Sequence, residues 1–333
     1  NQMFDPDGSM NPGKKVEAPP MTQNLRMGPS YETIPIDTYL DFSEDDGFDG
    51  AIEMCNGSGV CRKMQKGTMC PSFMVTREEE HSTRGRANAL RAAISGELDP
   101  EEFTGERMYE VMDLCISCKA CKSECPSAVD MAKIKTEWLQ HYWDENGLPL
   151  RERFFAYLPV MSRWLSGPLA SITNWLQERS WIRGPMERYL GIGQDRKLPS
   201  FARESFTAWY KNRFRPVSGK RVVLFQDTFN DHHLPETSRA AYEFLTGIGY
   251  SVVLADHSCC GRTFISKGLV KQARKNARRV VRQLHSHAEA GVPIVGLEPS
   301  CILTLRDEFR DLLPDSSEVE TVAEAAVTFE EVV

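Results

Sequence analysis

Cys115-Ile-Ser-Cys118-Lys-Ala-Cys121-Lys-Ser-Glu-Cys125-Pro126 places four thiols within eleven residues, at the spacing C-x2-C-x2-C-x3-C-P. Three thiolates two residues apart curl the backbone around one face of an iron–sulfur cubane. Backbone N–H groups then point at its sulfurs, and the proline turns the chain away after the last thiolate. In this spacing the fourth Cys ligates the other cluster of a two-cluster pair. A zinc site usually takes two ligand pairs separated by a longer loop, so four Cys in eleven residues favour iron–sulfur chemistry.

A second loop answers the first. Cys55-Asn-Gly-Ser58-Gly-Val-Cys61 followed by Cys70-Pro71 fits the same template, with Ser58 in the second ligand position and a longer gap before the final Cys-Pro. Crossed ligation predicts one four-thiolate [4Fe–4S] site from Cys70, Cys115, Cys118 and Cys121. Cys55, Cys61 and Cys125 are left as a three-thiolate site. That site suits a [3Fe–4S] cluster, or a [4Fe–4S] cluster whose last iron takes Ser58, another side chain or water; an empty site with structural Cys is the alternative. Lys119, Lys122, Arg62, Lys63, Arg84 and Arg86 lie in or beside these loops. A cation near a cluster favours its reduced form. Arg84 and Arg86 are therefore candidate contacts to a cluster or a partner cofactor, against the alternative of solvated charges.

The rest of the composition sets limits. The chain has 333 residues, 41% hydrophobic and 26% charged, which excludes general disorder and suggests more than one module. Ten Cys are too few for a disulfide scaffold. No apolar run is long enough for a spanning helix, and residues 1–6 do not begin a signal peptide. The first residue is not Met, so the chain reads as a fragment. Residues 151–220 carry 13 Lys/Arg against 5 Asp/Glu, in a chain of net charge −7, and all six Trp fall in or just before that segment. A basic, Trp-rich stretch in an acidic chain predicts a docking surface and no nucleic-acid binding, with ordinary helix packing as the alternative.

Along the chain, residues 1–50 read as a Pro-broken lead-in. Residues 51–147 alternate Cys loops with helices over 82–94, from Asp99-Pro100 to about Leu114, and over 130–145. Residues 148–218 predict short amphipathic helices punctuated by Pro159, Gly167-Pro168, Gly184-Pro185 and Pro199. Residues 219–333 alternate strands (221–226, 250–255, 292–297) with helices (235–245, 269–287, 301–312), the pattern of a parallel α/β layer. The fold class is α+β overall: a helical ferredoxin-like domain, a helical linker and an α/β sheet domain.

Cys259, Cys260 and Cys301 follow the second and third strands, and Asp227 follows the first. Loops at the carboxyl ends of parallel strands converge on one crevice, which makes the three Cys a candidate third metal or redox site; buried structural thiols are the alternative. His232, His233 and His257 sit in loops and read as solvated, while His285 and His287 complement a helix C-terminus.

Cys55 to Lys63, Met69-Cys-Pro-Ser-Phe73, Glu78-Glu-Glu-His-Ser-Thr-Arg-Gly-Arg-Ala-Asn-Ala-Leu-Arg91 and Leu114 to Pro126 together resemble bacterial fusion flavoproteins. These join an FAD-linked oxidase to a C-terminal iron–sulfur half and oxidise D-2-hydroxy acids such as D-2-hydroxyglutarate or D-lactate. Asp227-Thr-Phe229, Cys259-Cys-Gly-Arg-Thr-Phe264 and Leu297-Glu-Pro-Ser-Cys301 extend the likeness to the cysteine-rich CCG domain. Residues 4–14 resemble the last segment of the FAD-linked oxidase region. The resemblance implies an electron-transfer module that passes electrons from FAD on a covalent upstream part to a quinone or electron-acceptor protein. It leaves the catalytic residues unknown, with the FAD and substrate site mostly in the upstream part, and implies a cytoplasmic location peripheral to the inner face of the membrane, membrane-surface contact, and room for oligomers. Two departures stand out: Asp227-Thr228 and Thr304 occupy positions where the fuller CCG pattern has Cys. The alternatives are a metal-binding structural or regulatory scaffold, or an iron–sulfur subunit of a separate multi-subunit reductase.

Overall fold

The computed structural model describes the chain except residues 1–2, 8, 10–12, 15–17, 24–27, 29, 214–218 and 257–258. His257 and parts of the 4–14 segment therefore lie outside the described residues.

The Cys loops are held by three helices, two of which start at side-chain caps. Ser82 caps Thr83–Ile94, its side chain accepting from the Gly85 N–H at 2.9 Å. Asp130 caps Met131–Asn146 the same way through the Lys133 N–H at 3.0 Å, and Gly147 closes that helix with a positive φ. The helix expected from Asp99-Pro100 to Leu114 is instead a 3₁₀ turn, Pro100–Thr104, and a separate helix, Glu106–Asp113. Gly105 adopts an extended conformation between them, and the Asp99 side chain makes no cap bond.

The linker forms Leu150–Ala156, Leu158–Leu165, Ala170–Gln177, Ser180–Leu190 and Phe206–Arg213. Pro159 opens the second helix, as expected, but Gly184-Pro185 does not break the fourth. The missing Pro185 donor would have served the carbonyl of Trp181, a residue on the open face at 61% exposure, where water can replace the bond. His232 and His233 are not solvated. They meet Ser166 Oγ at 2.9 Å and Ser162 Oγ at 3.0 Å, and tie the linker to the α/β layer. Burial pushes both imidazoles below their ordinary pKa, so they serve as neutral partners.

The sheet is parallel, in the order β2-β1-β3-β4, with β1 Lys220–Phe225, β2 Tyr250–Val253, β3 Ile294–Gly296 and β4 Ala326–Thr328. Val222 pairs with Val252, Leu224 with Val295, and Val295 with Val327. One buried cluster runs from Leu40 and Phe42 through Leu90, Met112 and Trp138 into Val280, Leu284 and Ile302 of the α/β layer. A smaller one, including Phe206, Val222 and Leu245, fills the other face of the sheet. Gly268 marks a close approach between layers: a Cβ there would lie 2.2 Å from the Leu139 Cβ, and its φ is +66°. Trp143 Nε1 donates to the Lys267 carbonyl at 2.8 Å across the same seam.

The helix expected over 301–312 splits into Pro299–Arg306 and Glu308–Leu312. At the break, Asp307 and Glu308 turn toward the first Cys loop, where Lys119 pairs with both (2.8 Å to Glu308) and Lys122 with Asp307 at 3.0 Å. Burial works against the Asp307 carboxylate, but the two ammonium groups outweigh it and hold its pKa below the ordinary value. Lys133 meets Asp311 at 2.8 Å one turn on. Burial lifts the Asp311 carboxyl to about 6, more than that ammonium offsets. A carboxyl raised on folding favours the folded state below its unfolded pKa, and that contribution is lost as pH rises through the folded value. The expected loss from this group between pH 5 and pH 7 is about 1 kcal/mol. Asp311→Asn cannot ionise, so its denaturant midpoint should vary less over that range than the parent's. A constant difference between the two proteins at both pH values would refute the assignment.

Candidate metal centre

The loops Cys55–Cys61 and Cys115–Cys121 have the same construction, sixty residues apart. Each follows a short helix, Phe48–Glu53 or Glu106–Asp113. Each turns twice through positive φ: Gly57 at 78° and Gly59 at 75° in one, Ser117 at 52° and Lys119 at 59° in the other. The Cys55 N–H donates to the Ile52 carbonyl at 3.3 Å, and the Cys115 N–H to the Met112 carbonyl at 3.1 Å. Beyond the second turn, Arg62 N–H reaches the Gly59 carbonyl at 2.9 Å and Lys122 N–H the Lys119 carbonyl at 3.0 Å. In this register Ser58 lies where Cys118 lies, and both are exposed.

Cys70, Cys115, Cys118 and Cys121 wall one small cavity, together with Met69, Ser72 and Arg86. The crossing loop is pinned in place by Glu124, which accepts from Thr68 N–H at 2.7 Å and Thr68 Oγ1 at 2.6 Å. That contact sets the Glu124-Cys125 turn against the residues leading to Cys70. Cys61 lies within electrostatic reach of Cys55 and of Cys70. Burial pushes the Cys121 thiol up to about 12 and raises that of Cys61. Such thiols stay protonated until a cation takes the proton's place.

Two cations stand at this site without a salt bridge: Arg86 lines the cavity, and Lys135 reaches the backbone at Cys115. The Arg86 side chain is fully buried. It donates from Nε to the Val111 carbonyl at 3.0 Å, from Nη1 to the His81 carbonyl at 2.8 Å and toward Cys70 Sγ at 3.6 Å, and from Nη2 to Ser72 Oγ at 3.1 Å. Lys135 donates from Nζ to the Asp113 carbonyl at 3.0 Å and the Cys115 carbonyl at 2.6 Å, and burial lowers its pKa. Among the described residues neither makes a salt bridge. A buried unpaired cation costs several kcal/mol. A four-thiolate [4Fe–4S] group carrying about two negative charges would offset that cost. Donor set, raised thiols and unpaired cations therefore fit the cluster read from the sequence. Lys135 and Ser72 were not legible as site residues, because only the folded chain brings them to the thiols. Among the described residues no three His, Cys, Asp or Glu side chains gather closely enough for a single metal ion.

Arg84 sits at the other loop. Its Nε donates to Glu79 Oε1 at 2.7 Å and its Nη1 to the Gly57 carbonyl at 3.3 Å. Arg91 Nη2 donates to the Cys55 carbonyl at 3.1 Å, the counterpart of Lys135 at Cys115. Lys119 and Lys122 are committed to the acids of the α/β layer, as described.

The third candidate group comes together in part. Cys259 and Cys260 Sγ lie 4.0 Å apart, and Cys260 faces Cys301 at the crevice beyond β1 and β3, where the strand order reverses. Contact with Cys260 and burial raise the Cys259 pKa; for Cys260 the hydrogen bond with Cys259 lowers it, but the Cys301 contact and burial outweigh that and raise it. The two positions without Cys hold residues engaged in local structure. Asp227 caps the Thr228–His232 helix, accepting from Phe229 N–H at 2.9 Å and Asn230 N–H at 3.0 Å. Thr304 Oγ1 donates to the Ser300 carbonyl at 2.7 Å. Of the six Trp, Trp138, Trp143 and Trp209 are packed inside, whereas Trp164, Trp175 and Trp181 are 72%, 52% and 61% exposed.

Residues 51–129 match the 4Fe-4S dicluster domain family. The chain is similar to D-2-hydroxyglutarate dehydrogenase of Escherichia coli K12, 25% identical over an alignment that covers 92% of this chain and 34% of that protein. The Pseudomonas putida protein of the same name is 26% identical over 92% of this chain and 35% of its own length. The probable glycolate oxidase iron-sulfur subunit of Bacillus subtilis is 26% identical over 64% of this chain and 49% of its own length. The chain thus spans about a third of the length of the D-2-hydroxyglutarate dehydrogenases it matches. No solved structure matches it. Among the described residues no helix is long and apolar enough to cross a membrane.

Proposed function

We propose that this chain is the iron–sulfur electron-transfer module of an FAD-dependent D-2-hydroxy acid dehydrogenase, acting on D-2-hydroxyglutarate or D-lactate. The cavity walled by Cys70, Cys115, Cys118 and Cys121, with the unpaired Arg86 guanidinium against it, carries this reading. Those four thiols would hold a [4Fe–4S] cluster, and Cys55, Cys61 and Cys125 a second, three-thiolate one. Bound there, the clusters would supply one-electron carriage between a two-electron flavin and a quinone or electron-acceptor protein. The chain's own part is to fix the thiols, exclude water behind Met69 and Arg86, and balance cluster charge with Arg86 and Lys135. The four-part division at residues 50, 147 and 218 belongs to this reading, with the FAD-linked part upstream.

Likeness to the glycolate oxidase iron-sulfur protein and to one component of the anaerobic glycerol-3-phosphate dehydrogenase of Escherichia coli favours a second reading. In it the same module is a separate subunit of a multi-subunit reductase. The test common to both is iron and acid-labile sulfide per chain, with visible absorption and redox titration, on anaerobically purified protein. We expect a brown protein with at least about four irons and four sulfides that accepts electrons reversibly. A colourless, zinc-replete, redox-silent protein would establish the structural scaffold instead.

A further inference from the structure

We infer that the Ser58 corner of the second cluster site is an exchangeable binding position for a single Fe(II) ion. This rests on the reading that Cys55, Cys61 and Cys125 hold a cluster.

The two Cys loops share their lead-in helices, paired positive-φ turns and closing backbone hydrogen bonds, as described. A backbone so matched presents its middle residue in the same direction. In the first loop that residue is Cys118, and in the second it is Ser58. A serine hydroxyl is a hard, weakly acidic donor, whereas the irons of a cluster are held by soft thiolates. Three corners of the second site therefore keep strong ligands and one does not. That corner also faces outward, since Ser58 is exposed while Cys61 is buried. Water and small chelators can reach it.

The thiolates that remain match the requirement of a [3Fe–4S] core, which needs three. An oxidised [3Fe–4S]+ core takes one electron to become [3Fe–4S]0 and then adds one Fe(II) to give [4Fe–4S]2+. The reductant supplies the electron, and iron and charge balance. The reverse step releases Fe(II) to a chelator and one electron to an oxidant. The first site, with Cys118 in place, holds all four irons throughout. The backbone around Ser58 is built for it: the Ser58 N–H donates to Asn56 Oδ1 at 3.0 Å, and the Arg84 guanidinium lies against Gly59 and the Gly57 carbonyl.

The experiment is iron and sulfide analysis with electron paramagnetic resonance on the chain purified anaerobically, as wild type, Ser58→Cys and Ser58→Ala. Each is measured after mild oxidation with a chelator and again after dithionite and ferrous iron. Wild type should cycle between about seven and about eight irons at constant sulfide, with an oxidised three-iron resonance that disappears when iron is added. Ser58→Ala should cycle in the same way. Ser58→Cys should keep about eight irons and lose the resonance in both conditions. An unchanged resonance and iron count in Ser58→Cys would overturn the inference, as would a wild type whose eighth iron resists the chelator. About four irons in all three proteins would instead remove the second cluster itself, and the inference with it.

Discussion

Cys70→Ala should strip the four-thiolate cluster and leave the other one in place. Iron should fall by about four per chain, while any signal from the Cys55/Cys61/Cys125 site persists. Cys70 is nearer in sequence to Cys61 than to Cys115, so ligation in chain order makes the opposite prediction: the second site empties and the first survives. The geometry favours crossing, because Cys70 shares a cavity with Cys115, Cys118 and Cys121, and because Glu124 clips the Cys125 turn to Thr68. The loss should also lower stability. Without the cluster, Arg86 and Lys135 remain buried beside a neutral cavity, and an uncompensated buried charge typically costs about 3–5 kcal/mol. Retention of the first cluster in Cys70→Ala, shown by unchanged iron and an unchanged reduced-state resonance, would rule out crossed sharing.

What the sequence disclosed follows from the range of each signal. Ligand spacing is set within eleven residues, so Cys115 to Pro126 announces its chemistry without any fold. Helix caps are equally local, which is why Ser82, Asp130 and Gly147 mark real ends. Pro185 misled because the cost of a proline inside a helix depends on whether the freed carbonyl meets water, a property of the surface. The 301–312 helix misled because Asp307 and Glu308 answer to Lys119 and Lys122, which are about 185 residues away. β4 has only three residues and completes a sheet that hydrophobic alternation cannot reveal. The same holds at the site. Ser58 was visible as a gap in a pattern, but its placement opposite Cys118 needed the backbone turns. Arg84 and Arg86 were an undivided pair in the sequence. One helix separates them, turning Arg86 to Cys70 and Arg84 to Gly57.

Arg86 is also where the largest change in redox behaviour should come from. Arg86→Met keeps apolar volume while removing a charge whose Nη1 lies 3.6 Å from Cys70 Sγ. Reduction adds one negative charge to the cluster, and a nearby cation stabilises that state more than the oxidised one. At an effective dielectric of about 20 and a separation of about 6 Å, the lost attraction is about 3 kcal/mol, or on the order of 100 mV downward for a one-electron couple. Arg86→Lys retains charge but not the fork that serves Val111, His81 and Ser72 together, so it should recover part of the potential and less of the stability. Lys135 acts from the Cys115 side through a backbone carbonyl, so Lys135→Met should shift the same couple in the same direction. If titration followed by paramagnetic resonance placed the first cluster of Arg86→Met at the parent potential, the buried guanidinium would be a packing element of the loop, and the charge balance at Cys70 would have to come from elsewhere.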